Sequence, residues 1–235
     1  MEKRKFIYEG KAKRLYETDD KDILIQEFKD DATAFDATKR GTIASKGIVN
    51  NKLSEKIFTL LAKKGVPTHF IKLLNDRDML VKRVKIVPIE VTMRNIVAGG
   101  MAKLLGLEEG IILKKPVLEW HYKEDKLHDP LINDDHVMAL GIATPKELEI
   151  IKKYSYKIND ELKKFFLSKN LILVDFKLEF GRYKGKTIIL ADEISPDTCR
   201  LWDKTTKEKL DKDRFRRDLG NVEEAYQEVL RRVMA

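Results

Sequence analysis

The sequence predicts an α+β protein of two lobes with a nucleotide cleft between them, and three observations carry that expectation. Short apolar or alternating runs crowd the first third of the chain. A capped amphipathic helix follows in the second half, and a strong hairpin comes directly after it. Strands with few helices first, then a mixed second half, segregate in the α+β manner. At 235 residues with 43% hydrophobic side chains, the chain can bury a sizeable core as two lobes or two small domains.

Phe6 to Tyr8, Arg14 to Tyr16 and Ile23 to Phe28 read as strands, the first two flanking Gly10-Lys11-Ala12-Lys13. Ile48, Val49, Leu53, Ile57, Leu60 and Leu61 then fall on one helical face, and Gly65 closes that helix. Strand-like segments return at His69 to Leu73, Met79 to Val84 and Ile89 to Ile96. A lobe boundary is placed near Pro88. The stretch from Leu105 to Ala143, with Pro116, Pro130 and several polar turns, reads as irregular. Thr144 starts a long helix, with Pro145 at its first position and Glu147 completing a capping box. Leu148, Ile151, Ile158, Leu162 and Phe165 form its stripe. A hairpin of Leu171 to Phe180 and Thr187 to Ile194 turns at Tyr183-Lys184-Gly185-Lys186. The C-terminal helix has Asn221 as N-cap and Glu224 three residues on.

The charge balance narrows the function classes. The net charge of +8 comes from 47 basic and 39 acidic residues that alternate without a long run of either sign. That pattern favours a site for a small anion over an extended nucleic-acid track. The charged fraction of 37%, dominated by Lys and Glu, fits a heavily charged surface of the kind heat-adapted proteins carry. Cys199 is the one cysteine, which excludes an intramolecular disulfide and fits a reducing compartment. Four scattered histidines with that cysteine give no zinc spacing. No signal-peptide core follows Met1 to Arg4, and no apolar run approaches the length of a membrane span. A soluble cytoplasmic protein is expected.

Asp175-Phe176-Lys177-Leu178-Glu179-Phe180-Gly181 is the most informative stretch. Strand alternation turns Val174, Phe176, Leu178 and Phe180 to a core and Asp175, Lys177 and Glu179 to the opposite face. Folding the hairpin near Lys184-Gly185 sets Asp192 opposite about Lys177, beside Glu179. Two carboxylates converging beside a lysine suit a metal-bound triphosphate, because magnesium takes only one or two protein carboxylates and fills its other positions with phosphate oxygens and water. A solvated face of cross-strand ion pairs would read the same way. The charge and turn residues of Asp192-Glu193-Ile194-Ser195-Pro196-Asp197, then Arg200, tilt the reading toward a site. Gly10-Lys11-Ala12-Lys13 could meet phosphates through close backbone approach and two ammonium groups, or be a basic solvated turn. It is not a Walker A loop. Arg94, on one strand face with Glu90 and Thr92 and followed by Gly99-Gly100, could hold a phosphate or carboxylate, or end an edge strand. His128-Asp129-Pro130 is too short to interpret unaided. Asp211-Lys212-Asp213-Arg214-Phe215-Arg216 reads most simply as a solvated helix start. Phe58, Phe165, Phe166 and Trp202 read as core residues.

Together these segments resemble the SAICAR synthetase (phosphoribosylaminoimidazole-succinocarboxamide synthase) family along essentially the full chain. The resemblance rests on Leu173 to Gly181, on Val87-Pro88-Ile89-Glu90 through Arg94 to Gly99, and on Gly10 to Lys13. His128-Asp129-Pro130, Asp192-Glu193 through Arg200-Leu201-Trp202-Asp203, and Asp211 to Arg216 match as well. It implies a two-lobed fold related to ATP-grasp ligases and distantly to protein kinases. Residues 1–88 would form a β-rich ATP-binding lobe, and 89–235 an α+β lobe carrying the metal and substrate sites. Gly10, Lys11, Ala12 and Lys13 would cover the ATP phosphates, Lys82 would reach them from a strand, and Val84 to Ile86 would lie beside adenine. Glu179 and Asp192 would hold Mg2+, and Lys177 and Asp129 would serve catalysis. Arg94, Gly100, Arg200, Lys212 and Arg216 would line the substrate side. Gly100 departs from the family pattern, which has serine there, and removes one hydroxyl contact to the ribotide phosphate.

The implied reaction uses ATP to join L-aspartate to a carboxyaminoimidazole ribotide through an acyl phosphate. Phosphoryl transfer needs positioning and charge neutralisation more than a protein nucleophile, which agrees with a chain lacking a Ser-His-Asp or Cys-His set. The expected assembly is a homodimer, with no nucleic-acid or membrane partner. Two rivals stay open at this point. One is a ligase or kinase of the same fold acting on another substrate. The other is a basic nucleotide- or RNA-binding module, although exposed aromatics interleaved with basic residues are lacking.

Overall fold

The computed structural model describes residues 1–34 and 38–235. An antiparallel ribbon comes first. Strands β1 (Phe6–Glu9) and β2 (Lys13–Glu17) meet at a turn closed by the Gly10 N–H, which donates to the Lys13 carbonyl at 2.8 Å. Strand β3 (Ile23–Phe28) extends the ribbon, and β4 (Asp31–Ala34) pairs with β5 (Lys39–Thr42) in a sheet of their own. Helix α1 (Lys46–Lys63) follows, and β6 (Phe70–Leu73) and β7 (Asp78–Lys82) complete a five-stranded sheet ordered β1-β2-β3-β7-β6.

The second sheet begins with β8 (Val84–Ile96), helix α2 (Gly99–Leu105), β9 (Ile112–Tyr122) and the short β10 (Leu131–Ile132). Helices α3 (Asp134–Ala139) and α4 (Pro145–Ser168) precede β11 (Leu171–Tyr183), β12 (Thr187–Ala191) and β13 (Cys199–Asp203). The order is β10-β9-β8-β11-β12, with β13 also on β11. One edge of β11 is thus covered by β8, and the other by β13 and β12 in tandem. A short α5 (Asp213–Arg216) and the terminal α6 (Val222–Met234) end the chain. Among the described residues no helix is long and apolar enough to cross a membrane.

Several expectations change on contact with the fold. The stretch Leu105 to Ala143, expected to be irregular, contains β9, an eleven-residue strand. Pro116 lies where β10 does not cover the outer edge of β9 and where the register with β8 shifts, a position that tolerates a missing N–H donor. The expected strand Met79 to Val84 stops at Lys82. Val84 already belongs to β8, which runs on through Pro88, so the change of sheet falls at Arg83. Pro88 is accommodated at an irregularity in the β8–β11 register between Glu179 and Gly181. In the terminal helix Asn221 occupies the N-cap position, but with φ 48° it makes no side-chain cap. On α4 it is Phe166, fully buried, that anchors the helix, and Phe165 is half-buried.

The main core lies between α1, α4 and the second sheet. Leu53, Ile57, Phe58 and Leu61 of α1 and Leu148, Ile151, Ile158 and Leu162 of α4 join Phe176, Leu178 and Phe180 of β11 there. Helix α4 begins at a reciprocal cap. The Glu147 N–H donates to Thr144 Oγ1 at 3.2 Å, and Glu147 Oε2 accepts from the Thr144 N–H at 2.8 Å. The same carboxylate also takes the Arg182 fork at 2.6 and 3.0 Å, tying the helix start to the end of β11. That fork, followed by the Thr144 donors, holds the Glu147 carboxyl at about 2, well below its ordinary value.

A stability prediction follows from this cap. Thr144→Ala should cost about 1 kcal/mol and Glu147→Gln about 1–2 kcal/mol in urea unfolding near neutrality, after discounting for solvent screening. Because the folded-state value lies below the unfolded one, the contribution is complete above the ordinary carboxylate range and lost as pH falls toward 2. The gap between wild type and Glu147→Gln should therefore close between about pH 5 and pH 2. An unchanged gap across that range would show that the charge plays no part.

Candidate active site

Strand β11 supplies the axis of the site. Its core-facing residues Phe176, Leu178 and Phe180 are buried, and Asp175, Lys177 and Glu179 stand on the other face as alternation requires. Asp175 and Glu179 are four residues apart, about 13 Å along a strand, and each anchors a different cluster.

At the Glu179 end two carboxylates come together. The β11–β12 pairing sets Glu179 opposite Ala191, one residue off the expected register, and the chain then turns at Asp192 with φ 65°. Lys13 bonds Asp192 and lies 3.0 Å from Glu193 Oε1, and Lys123 bonds Glu179. Lys177 pairs with Glu90 at 2.5 Å across β8. Burial, then the Asp192 charge, pushes the Glu179 carboxyl up to about 7 against the pull of Lys123 and Lys13. Asp192 stays ionised, since Lys13 outweighs its burial. The Lys13 ammonium is likewise held well above the ordinary lysine value by Asp192 and Glu193, despite burial.

Glu179 and Asp192 are hard oxygen donors, and among the described residues no group of three or more metal-ligating side chains gathers anywhere. A pair of carboxylates of this kind fits a magnesium ion whose remaining ligands come from phosphate and water, and does not fit a metal caged by protein alone.

At the Asp175 end, carboxylates and guanidinium groups alternate. Asp175, 2% exposed, accepts from Arg94 Nη1 at 2.8 Å and from Arg200 Nη1 at 3.0 Å. Arg94 Nε is fixed by Glu119 at 2.8 Å. Asp213 holds Arg200 Nε at 2.8 Å and Arg216 Nη1 at 2.6 Å. These bonds use the Nε and Nη1 donors of Arg94 and Arg200 and leave both Nη2 groups beside Gly99 and Gly100. A Cβ on Gly99, which has φ 54°, would fall 2.4 Å from Arg200 Nη2, so only glycine lets the guanidinium lie on the backbone here. At Gly100 the nearest atom to such a Cβ is Arg94 Nη2 at 3.8 Å, ordinary contact distance.

Other expected residues fall elsewhere. Lys11 reaches Asp125 at 2.8 Å, on the rim of a cavity of ≈ 660 Å³ that Gly10, Lys29 and Thr42 also line. Lys82 is not brought to the carboxylate pair. Its Nζ donates to the Thr68 carbonyl at 3.0 Å and lies 5.7 Å from the Tyr183 ring. Val84 packs on Gly181, where an added Cβ would sit 2.5 Å from Val84 Cγ2, and Ile86 pairs with the same glycine. Asp129, with φ 48°, accepts from the Glu124 N–H through Oδ1 at 2.9 Å. Lys212 Nζ lies 3.7 Å from Asp197. The segment Asp211 to Arg216, expected to be a solvated helix start, is largely buried, because Asp211 and Asp213 are met by backbone N–H groups and arginines. Lys123, Glu119 and Asp197 also join the site. Lys123 and Glu119 carry no local signal, since both lie on or beside the strand read as irregular.

Comparison with known proteins points one way. The family model described as SAICAR synthetase matches residues 6–233. A phosphoribosylaminoimidazole-succinocarboxamide synthase of Thermoanaerobacter sp. (strain X514) is 60% identical over 233 residues, covering 99% of this chain and 99% of its own. Among solved structures, the phosphoribosylaminoimidazole-succinocarboxamide synthase of Ehrlichia chaffeensis superposes with a TM-score of 0.96 at 47% identity, over 98% of this chain and 99% of that one. A SAICAR synthetase in complex with ADP superposes with a TM-score of 0.94 at 49% identity, over 97% of both chains.

The two adjacent glycines should respond oppositely to the same substitution. Gly99→Ala combines a left-handed backbone with a clash on Arg200 and should cost about 1–3 kcal/mol. Gly100→Ala, at the start of α2, should be neutral or stabilising by about 0.4–1 kcal/mol. Urea unfolding of both variants checks this, and equal costs would show that the Arg200 contact exerts no constraint.

Proposed function

The chain belongs to the SAICAR synthetase family of ATP-dependent ligases in purine biosynthesis, and from that premise we propose how its residues divide the reaction. The substrates are ATP, 5-amino-1-(5-phosphoribosyl)imidazole-4-carboxylate and L-aspartate. The products are ADP, phosphate and the succinocarboxamide ribotide. The observation that carries the reading is β11 itself, which bears a carboxylate–lysine cluster at one end and an arginine cluster at the other. A substrate with a phosphate at one end and a reacting carboxylate at the other can lie between them.

ATP enters from the side of the Gly10 to Lys13 turn, with Val84 and Ile86 beside the base and Lys82 at the inner wall. Lys13 meets the phosphates most directly, because its ammonium already lies in the cluster. Lys11 acts from the rim. Glu179 and Asp192 would hold a magnesium ion, which supplies neutralising charge to the triphosphate. Arg94 and Arg200 offer their Nη2 donors to the ribotide phosphate at Gly99-Gly100, and Lys212 and Arg216 complete the ribotide side.

The ribotide carboxylate oxygen attacks the γ-phosphorus and ADP leaves, giving an acyl phosphate. Lys177, held by Glu90, stands midway along β11 to neutralise the charge of that group. The aspartate amine then attacks the carbonyl carbon and phosphate departs. Asp129, whose Oδ1 accepts from the Glu124 N–H, would receive the proton the amine loses on Oδ2. We assign the enzyme to the cytoplasm, without nucleic-acid or membrane partners, on the even spread of charge and the single buried cysteine, and as a homodimer on its family membership alone.

Two outcomes are expected. Glu179→Gln and Asp192→Asn should each cut turnover at least about a hundredfold at limiting magnesium while leaving the melting temperature near that of wild type. Chelating the metal should abolish ADP release on mixing the three substrates. Wild-type turnover in both variants would remove the metal assignment. Lys13→Ala should weaken ATP binding by about 1.5–3 kcal/mol, one to two decades, and Lys11→Ala by less than one decade. Nucleotide titrations that rank the two lysines the other way would move the phosphates to the rim.

A further inference from the structure

Asp197 lies between β12 and β13, and three elements converge on its buried carboxylate. Lys46, the first residue of α1, donates from Nζ to Oδ2 at 2.7 Å. Tyr226 of α6 donates its phenol to Oδ1 at 2.6 Å. Lys212, just before α5, has its Nζ 3.7 Å from Oδ2. The Lys46 and Tyr226 side chains are sealed from solvent, so neither can touch a substrate in this arrangement. Lys212 keeps an open side, at 13% exposure.

An ammonium and a phenol sunk into a core gain little for stability over apolar residues of the same shape. What they do here is saturate one carboxylate from two sides. With Oδ1 taken by Tyr226 and Oδ2 by Lys46, the Asp197 side chain has a single orientation, and Lys212 is the partner left facing the cleft. Burial disfavours the Lys212 ammonium, and Asp197 is the foremost group opposing that, while Arg216 and Lys46 add to the repulsion. If Asp197 could swing, Lys212 would lose the charge that holds it between two other cations.

We propose that Tyr226 is a positioning residue for the ligase reaction, fixing Asp197 together with Lys46 and, through Asp197, aiming the Lys212 ammonium at the ribotide. This rests on the placement of Lys212 on the ribotide side given above. The terminal helix thereby contributes to substrate binding without entering the cleft.

Tyr226→Phe keeps the ring and removes one hydroxyl. Its KM for the ribotide should rise about three- to tenfold, with kcat within about twofold of wild type and the KM for ATP unchanged. In a double-mutant cycle, Tyr226→Phe should add nothing to Lys212→Ala. Wild-type kinetics in Tyr226→Phe, or an effect of equal size in the Lys212→Ala background, would overturn the proposal and leave the phenol a packing group. If Lys212→Ala alone leaves the ribotide KM unchanged, the placement of Lys212 fails, and the role of Tyr226 with it. Should Tyr226→Phe not fold, Asp197→Asn stands in its place. The same KM rise and the same lack of additivity with Lys212→Ala are expected, and an unchanged ribotide KM would overturn the proposal.

Discussion

Charge withdrawn from water has to be met by opposite charge within hydrogen-bond reach, and the whole cleft is arranged under that constraint. Strand β11 presents Asp175, Lys177 and Glu179 on one face, and none of them is left alone. Asp175 is shared by two arginines, Lys177 leans on Glu90, and Glu179 takes Lys123. Arg94 and Glu90 come from β8 and Arg200 from β13, strands bonded directly to β11, and Lys123 reaches Glu179 from the residue that follows β9. Were β11 moved to an edge, half of these counter-charges would be lost and the rest would face solvent.

The two ends of the strand solve the problem differently. At the arginine end the carboxylates are structural. They consume the Nε and Nη1 donors and leave Nη2 beside Gly99 and Gly100, so the guanidinium planes are fixed before any ligand arrives. At the Glu179 end the balance is closer, and a carboxyl displaced to about 7 lies beside one held ionised by Lys13. If magnesium and a triphosphate bind here as proposed, this pair would exchange partners on their arrival, whereas the arginines are already held by Glu119, Asp175 and Asp213.

Local rules made much of this legible from the sequence. Period-two alternation identified the working face of β11, and the Thr144 and Glu147 pair announced the start of α4 through a reciprocal bond between neighbours in sequence. Legibility failed where the deciding partner is remote. Strand β9 was hidden by Pro116 and a lysine pair, which only its position at the sheet edge makes acceptable. Lys123 meets Glu179 across 56 residues of chain. The Asp211 to Arg216 segment looked solvated because its charges are cancelled by Arg200 and by backbone donors that no local pattern contains. The register of Asp192 differs by one residue because the hairpin turns through three residues, Lys184-Gly185-Lys186, with Tyr183 paired to Thr187, rather than about the Lys184-Gly185 bond.

The enclosure of β11 also determines how the molecule comes apart. A strand bonded along both edges has amide protons that exchange with solvent only when the sheet itself opens, whereas β1, an outer strand with every residue exposed, can fray on its own. The carboxylates and arginines therefore belong to the slowest-exchanging part of the protein, and the glycine turn beside β1 to the fastest. Partial opening near the Gly10 to Lys13 turn would leave the Arg94 and Arg200 cluster intact. On warming, if ATP and the sugar phosphate bind as proposed, the capacity to retain ATP should fade before the arginine framework begins to loosen.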